Sequence, residues 1–217
     1  MSFYMDIDIN LSSSTAKAKL SSKDNRLLTI VFGGFGYNLD MPIFYYTLKF
    51  LDTQKTDVLQ INLGYDQDKK FLRLSEDEQD EIFIKDLDHV DKFLESLDYD
   101  NFLFIGKSLG TTSCYTLLKD KTLYDKALGC VWITPGTYAS DINNFILESD
   151  IKSLIIYGTN DEYSKMLDLE KLNKEEYIKL FEVSNANHSL ECDNLADSII
   201  NLEKIIKEIS TFISSII

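Results

Sequence analysis

The 217-residue chain is predicted to be an α/β protein: one domain over residues 1–217, with a mostly parallel central sheet and helices on both faces. Two observations predict this class. Strand-length apolar runs alternate along the chain with longer segments whose apolar residues recur every three or four positions. No Pro-rich, Gly-rich or Ser-rich linker divides the chain, and a chain of this length can bury a sizeable core.

In the first half, apolar residues alternate with polar ones from Phe3 onward, which is the period of a half-buried strand. Predicted strands cover residues 3–11, 26–32 and 56–63. A helix is predicted from Asp40, as the N-cap, to about Asp52, with Pro42 in its first turn. A longer helix is predicted over residues 75–97, because its apolar residues form one stripe.

The second half repeats the pattern. Predicted strands cover residues 101–105, 127–134, 151–157 and 178–183, and predicted helices cover residues 111–119 and 195–217. The apolar stripe of the last helix is expected to pack against the sheet, with a partner surface as the alternative. In parallel sheets of this kind, ligands bind at the carboxyl ends of the strands.

Charge and cysteine usage restrict the partners and the compartment. The net charge is −14 at pH 7, whereas a nucleic-acid surface needs clustered Lys and Arg, so no nucleic acid and no anionic membrane is expected as a partner. The N-terminus does not resemble a signal peptide, and no apolar run approaches about 18 residues. The three cysteines, Cys114, Cys130 and Cys192, have no C-x-x-C spacing. We therefore expect a cytoplasmic protein without a metal site.

The most informative motif is Gly106-Lys107-Ser108-Leu109-Gly110, which spells G-x-S-x-G between a predicted strand and a predicted helix. This context indicates a nucleophile elbow, a tight turn that projects the serine Oγ above the sheet. The two glycines are expected where any side chain would collide with backbone. The motif alone leaves open an ordinary serine in a glycine-bounded turn. Lys107 is expected to be solvated, or to steer an anionic substrate.

Two further strand ends carry residues that suit a serine nucleophile. Asp161 follows the strand over 151–157, and His188 follows the strand over 178–183. Serine needs a neighbouring base, which imidazole provides, and a carboxylate orients and stabilises that imidazole. The chain has only one other histidine, His89, which lies outside the apolar stripe of the helix predicted over residues 75–97 and is expected to be exposed to solvent.

The identity of the acid is less certain from the sequence. Asp161 is preferred because it lies in the Gly-Thr-Asn-Asp turn directly after a strand. Glu162 is adjacent to it, and Asp141 follows the preceding strand, so both remain alternatives.

An oxyanion hole needs backbone N–H groups aimed at the developing negative charge. The residue after the nucleophile, Leu109, is expected to supply one. The second is expected from Phe35, in the glycine loop at residues 33–36. The alternative, a dinucleotide-binding loop, requires G-x-G-x-x-G, but Leu39 occupies the position of the last glycine. No organic cofactor is therefore expected.

With these motifs the chain resembles the α/β-hydrolase superfamily. The resemblance extends from the glycine loop to the last helix and is greatest to small lidless members, the dienelactone-hydrolase-like and carboxylesterase-like proteins. The motifs that carry it are Gly-Gly-Phe-Gly, Gly-Lys-Ser-Leu-Gly, Gly-Thr-Asn-Asp and Asn-His-Ser-Leu-Glu. One departure is Gly33, where many members have histidine. Lids usually follow the strand over 127–134, and residues 135–150 leave room only for a loop or one short helix.

The resemblance implies a serine hydrolase that cleaves a small ester or thioester through an acyl-enzyme, without a metal or cofactor. Two alternatives stay open: a hydrolase-fold protein that binds a ligand or partner without turnover, and a hydrolase acting on amide or peptide bonds. Three tyrosines flank the loops at strand ends, where each is expected either to line a pocket or to pack on the surface: Tyr37, Tyr138 and Tyr163. The natural substrate and the oligomeric state are left undetermined.

Overall fold

The computed structural model describes residues 3–12, 14–119 and 121–217. Eight strands form one sheet in the described residues: β1 (Phe3–Asn10), β2 (Thr15–Ser22), β3 (Leu27–Phe32), β4 (Asp57–Asn62), β5 (Asn101–Ser108), β6 (Ala127–Pro135), β7 (Lys152–Gly158) and β8 (Ile178–Val183). Their order is β1-β2-β4-β3-β5-β6-β7-β8. The β1/β2 and β2/β4 pairs are antiparallel, and all other neighbours are parallel.

Helices cover both faces of this sheet. They are α1 (Pro42–Leu51), α2 (Glu76–Glu95), α3 (Leu109–Lys119), α4 (Lys121–Tyr124), α5 (Ala139–Glu148), α6 (Leu169–Leu172) and α7 (Leu195–Ser214). Helices α1 and α7 pack on one face, and the other helices pack on the opposite face. Because successive strand residues point to opposite faces, Phe104 and Ile105 of β5 belong to two different apolar cores. The predicted mostly parallel α/β architecture is therefore confirmed.

Strand β2 was not predicted from the sequence. Its apolar residues, Ala16, Ala18 and Leu20, alternate correctly, but alanine is small and only weakly indicates a strand. In the structure Ala16 and Ala18 are buried, because they point into the apolar core between the sheet and helix α2. The missed strand makes this end of the sheet antiparallel.

Strand β1 was predicted correctly, but its expected burial is only partly right. Ile9 is buried, whereas Phe3 is 71% and Met5 56% exposed. β1 is an edge strand. Helix α2 contacts the segment that follows β1, because the Asp86 carboxylate of α2 accepts a hydrogen bond from the Ser12 N–H. The opposite end of β1 therefore remains open to solvent.

The predicted N-cap of the first helix was wrong by one residue. Met41 is the N-cap, without a side-chain bond, and Pro42 begins the helix. Asp40 instead donates its N–H to the side-chain oxygen of Asn38, so the turn before the helix closes on Asn38. Helix α2 has a complete capping box between Ser75 and Glu78.

The last helix packs on the sheet through the middle of its predicted apolar stripe. Ile209 and Ile213 are buried and Leu202 packs against the core, whereas Leu195 is 74%, Ile199 60% and Ile217 40% exposed. The expected packing of the stripe is therefore confirmed for its middle and wrong for its two ends.

Between β6 and β7 lies the single helix α5, as the length of that segment predicted. The structure therefore has no lid domain at this position. Among the described residues, no helix has both the length and the apolar character required to cross a bilayer.

Candidate active site

The serine lies at a sharp junction between β5 and α3. Ser108 is the last residue of β5 and Leu109 is the first of α3, and Ser108 has a positive φ of 51°. A Cβ at Gly106 would lie 2.3 Å from the Gly110 carbonyl oxygen, and one at Gly110 would lie 2.4 Å from the Phe32 carbonyl oxygen. The steric requirement for both glycines is thus confirmed. Positive φ at a serine stores about 1–3 kcal/mol of strain, which the surrounding packing must offset.

The structure brings Ser108, His188 and Asp161 together. His188 Nε2 lies 2.8 Å from Ser108 Oγ, and His188 Nδ1 lies 2.8 Å from Asp161 Oδ2. The tautomer with its proton on Nδ1 satisfies both contacts, since the carboxylate can only accept and Nε2 then accepts the serine proton. Ser108 ends β5, and Asp161 and His188 follow β7 and β8; these three strands run parallel, so their carboxyl ends lie at one edge of the sheet.

Asp161 is the only one of the three proposed acids that contacts His188. Its carboxylate is buried and also accepts the Tyr163 N–H at 3.1 Å. Glu162 is exposed and pairs with Lys165 at 2.6 Å. Asp141 is exposed in the first turn of α5.

The histidine loop is held close to the end of β7. A Cβ at Gly158 would lie 2.2 Å from the Ala186 carbonyl oxygen, so only glycine permits this approach. The Asn187 side-chain oxygen accepts the N–H groups of Ser189 and Glu191, which closes the loop around His188. His188 is thus positioned by its own loop and by the end of β7.

The two backbone N–H groups predicted to hold an oxyanion belong to the first residue of α3 and to the glycine loop packed beside it. Leu109 begins α3, so its N–H has no acceptor within the helix. Gly34 and Tyr37 exchange backbone hydrogen bonds, and within the described residues this leaves the Phe35 N–H without an acceptor. A Cβ at Gly34 would lie 2.9 Å from the Lys107 carbonyl oxygen, so this loop packs directly on the elbow. The roles of Leu109 and Phe35 stay predictions.

No family model matches the chain, and no curated protein matches it in sequence. Solved structures do match it over nearly its whole length. Dienelactone hydrolase from Anabaena variabilis has a TM-score of 0.67 at 13% identity, covering 100% of this chain and 99% of that chain. Est1E from Butyrivibrio proteoclasticus has a TM-score of 0.71 at 13% identity, covering 97% and 98%.

A third match is XC6422 from Xanthomonas campestris, described as a serine hydrolase without a lid. Its TM-score is 0.63 at 13% identity, covering 98% of this chain and 94% of that chain. This chain has the lidless α/β-hydrolase fold. At these identities the likeness establishes the fold, and the activity must be argued from the site.

In this α/β-hydrolase fold, a cavity of about 580 Å³ opens in front of Ser108. Aromatic side chains form much of its wall: Phe35, Phe71, Phe83, Tyr138 and Tyr163. Glu76 and Asp80 add carboxylates, and no Lys or Arg is among the described residues that line the cavity. The Tyr138 hydroxyl donates to Asp80 at 2.5 Å, and burial, assisted by that carboxylate, raises the pKa of Tyr138 to about 12.

The contribution of α2 to this cavity was missed in the sequence. The helix predicted over residues 75–97 was expected to bury its apolar stripe, and none of its residues was assigned to the site. Glu76, Asp80 and Phe83 are spaced four and three residues apart, which places them on one helix face. The spacing indicates that these three side chains share one helix face, but the sequence does not show that this face lies beside Ser108.

Two of the three tyrosines singled out earlier, Tyr138 and Tyr163, line the cavity. Tyr37 is instead buried against Lys107, with the Lys107 Nζ 4.7 Å from its ring centre. Lys107 is only 1% exposed, so both expectations for this residue, a solvated side chain and a guide for anionic substrates, were wrong. Strand alternation places Lys107 on the same face as Leu103 and Ile105, away from the Ser108 side.

Proposed function

We propose that this protein is a serine hydrolase that cleaves small ester or thioester substrates through an acyl-enzyme. The observation that carries the proposal is the placement of His188 between Ser108 Oγ and Asp161 Oδ2, at 2.8 Å from each. The lidless α/β-hydrolase fold supports the coarser statement that the protein is a hydrolase.

In the proposed reaction, Ser108 Oγ attacks the carbonyl carbon of the substrate while His188 Nε2 takes the hydroxyl proton. Asp161 holds the Nδ1 proton and stabilises the imidazolium. The N–H groups of Leu109 and Phe35 donate to the carbonyl oxygen as it becomes negative. His188 then protonates the leaving group, and a water molecule activated by the same imidazole releases the acid. Both steps use only groups of the chain and water.

The direct test is the intact mass of the protein after exposure to a fluorophosphonate probe. We expect one adduct on the wild type and none on Ser108→Ala, because only an activated serine reacts with such a probe. A folded wild type without an adduct would instead favour the alternative of a hydrolase-fold protein that binds without turnover.

Ester and amide chemistry are separated by substrates that share one acyl group. We expect turnover of a p-nitrophenyl ester and of the matching thioester, and none of the matching anilide under the same conditions. Comparable turnover of the anilide would favour the amide or peptide alternative.

The cavity wall supports a proposal about the substrate. Because five aromatic side chains form much of the wall, we expect a substrate with an aromatic or aliphatic group beside its ester. Est1E, which shares the fold at a TM-score of 0.72 in a structure with bound ferulic acid, holds an aromatic acid. Aryl esters are therefore suitable first substrates.

The carboxylates of Glu76 and Asp80 predict selection by substrate charge. We expect a neutral ester to be preferred several-fold in kcat/KM over an equally long ester ending in a carboxylate, since each exposed charge pair contributes about 0.2–1 kcal/mol. The double variant Glu76→Gln/Asp80→Asn should remove most of this preference. Added salt should weaken the preference in the wild type, because it screens exposed charges.

Asp77→Asn is the matched control for the charge experiment. Asp77 is an exposed neighbour of Glu76 that does not line the cavity, so Asp77→Asn removes one carboxylate charge, as the single variant Glu76→Gln does, without changing the wall. An equal loss of preference in Asp77→Asn and in Glu76→Gln would show that overall charge, and not the cavity, selects the substrate.

The choice of acid is tested by Asp161→Asn. The amide would donate to His188 Nδ1 and so impose the wrong tautomer, and we expect kcat to fall about 10⁴-fold, as in other serine triads. Glu162→Gln and Asp141→Asn are matched controls with neutralised carboxylates, and both should keep wild-type kcat. If Glu162→Gln lost activity while Asp161→Asn retained it, the assignment would be wrong.

A further inference from the structure

Lys107 is a buried charged side chain that the proposed reaction does not use. It lies in β5 directly before Ser108, and it is among the largest fully buried side chains in the described residues. Its Nζ donates to Thr134 Oγ1 at 2.8 Å and to the main-chain carbonyl oxygen of His188 at 2.7 Å. The Tyr37 ring lies over the same ammonium.

These three contacts come from three parts of the site. His188 belongs to the loop after β8, Thr134 lies near the end of β6, and Tyr37 closes the glycine loop that contains the Phe35 N–H. Because Lys107 and Ser108 are consecutive strand residues, their side chains point to opposite faces. The ammonium therefore contacts the histidine loop from behind, without occupying the substrate cavity.

Stability alone does not account for a lysine at this position. No carboxylate of the described residues forms an ion pair with Lys107, and a buried charge without such a partner is destabilising. An apolar side chain of similar volume is often neutral or stabilising at such a site. The charge of Lys107 can instead be explained by the two loops that its side chain contacts, which carry His188 and Tyr37.

We propose that Lys107 is a positioning residue whose protonated side chain holds the main-chain carbonyl of His188, so that the imidazole keeps its distance from Ser108 and Asp161. The inference rests on the proposed hydrolase function. It adds a second support for His188, on the opposite side of the loop from Asp161.

The proposal predicts a dependence on pH. The charged and titratable groups that face Lys107 are the carboxylates of Asp161 and Glu191 and the Tyr37 phenol. Burial lowers the pKa of Lys107 from 10.5 to about 8, and the charges of Asp161 and Glu191 oppose this only in part. As the pH rises through about 8, the ammonium becomes a neutral amine and its charge-assisted bonds weaken. We therefore expect kcat to decline above about pH 8.

Stability should change in the opposite direction. The folded-state pKa of Lys107 is below its unfolded value, so the buried charge destabilises the fold fully below about pH 8. This destabilisation is relieved as the pH rises from about 8 to 10.5. If Lys107 served only the stability of the fold, kcat would not fall between about pH 8 and 10.5, since loss of its charge stabilises the fold in that range.

The test is Lys107→Met in the full chain, with Lys126→Met as the matched control. Lys126 also donates to a main-chain carbonyl and lies over an aromatic ring, but it is exposed and far from the site. We expect Lys107→Met to lower kcat about 10- to 100-fold, since a displacement of about 1 Å can have that effect. KM should change little, the melting temperature should stay the same or rise because a buried charge is removed, and the decline of kcat above pH 8 should disappear. Wild-type kcat and pH profile in Lys107→Met would overturn the proposal.

A second readout does not depend on activity. The chain has two histidines, so the imidazole NMR signals of His188 can be compared directly with those of His89. Lys107→Met should shift the His188 signals and speed exchange of its Nδ1 proton, while the His89 signals stay in place. Unchanged His188 signals overturn the inference about Lys107, whereas a missing fluorophosphonate adduct on the wild type overturns the proposed hydrolase function.

If Lys107→Met does not fold, Thr134→Val replaces it in both measurements. Valine keeps the shape of threonine but removes one acceptor of the ammonium. We expect a smaller fall in kcat and a smaller shift of the His188 signals. No change in either would overturn the proposal.

Discussion

Replacing His188 with alanine is expected to lower ester turnover about 10⁶-fold, the loss in kcat found when the histidine of a serine triad is removed. Ser108 Oγ would then have no acceptor for its proton, because Nε2 of His188 is the nitrogen that lies 2.8 Å from it. Without a base, a serine hydroxyl is a weak nucleophile at neutral pH. The measurement is kcat/KM for a neutral aryl ester, together with the rate of fluorophosphonate labelling.

The control for this experiment is His89→Ala. His89 is exposed on α2, as predicted, and its Nδ1 lies 2.8 Å from the Lys85 carbonyl oxygen. Removing this imidazole should leave both rates at wild-type values. Because the chain has only these two histidines, the pair of variants tests every imidazole. A His188→Ala protein that kept its turnover within tenfold would rule out the proposed base.

Replacing Gly110 with alanine is expected to destabilise the fold strongly. The new Cβ would lie 2.4 Å from the Phe32 carbonyl oxygen and 2.7 Å from that of Gly33. Both are backbone atoms, so relief requires β3, the elbow or α3 to move, and not a side chain to rotate. We expect a loss of about 3 kcal/mol, the upper end of the usual overpacking penalty. For a domain of this size, this lowers the melting temperature by about 6–12 °C.

Gly136→Ala is the matched control for stability. A Cβ at Gly136 would have Ser108 Oγ as its nearest neighbour, at 3.4 Å, which is an ordinary contact. The same chemical change should therefore leave the melting temperature nearly unchanged, whatever it does to activity in the cavity. Equal melting temperatures for Gly110→Ala and Gly136→Ala would refute the steric account of the elbow.

Much of the site was accessible from sequence because its signals are local. The G-x-S-x-G motif lies between a strand pattern and a helix pattern, so Ser108 could be placed at a strand end without knowing the fold. His188 was selected because it follows a strand and the chain has few histidines. Asp161 was preferred over the adjacent Glu162 only because of its position in the turn after the strand. The structure was needed to show that Asp161 contacts His188.

The signals that failed are those that depend on distant segments. Strand β2 has small residues at its buried positions, and what makes it a strand is pairing with β1 and β4. Glu76 and Asp80 reach the cavity only because α2 packs beside the elbow, and a helical stripe does not say which surface it meets.

By itself, the sequence determined the α/β class, the elbow at Ser108 and the candidate residues at strand ends, because periodicity, glycine sterics and strand polarity act within a few residues. Only the tertiary structure decided that Asp161 contacts His188, that α2 lines the cavity and that Lys107 is buried behind the histidine loop. The physical reason is that the exposure of a side chain depends on which other segments cover it. For Lys107 those segments are the loops carrying Tyr37 and His188, far away in the chain.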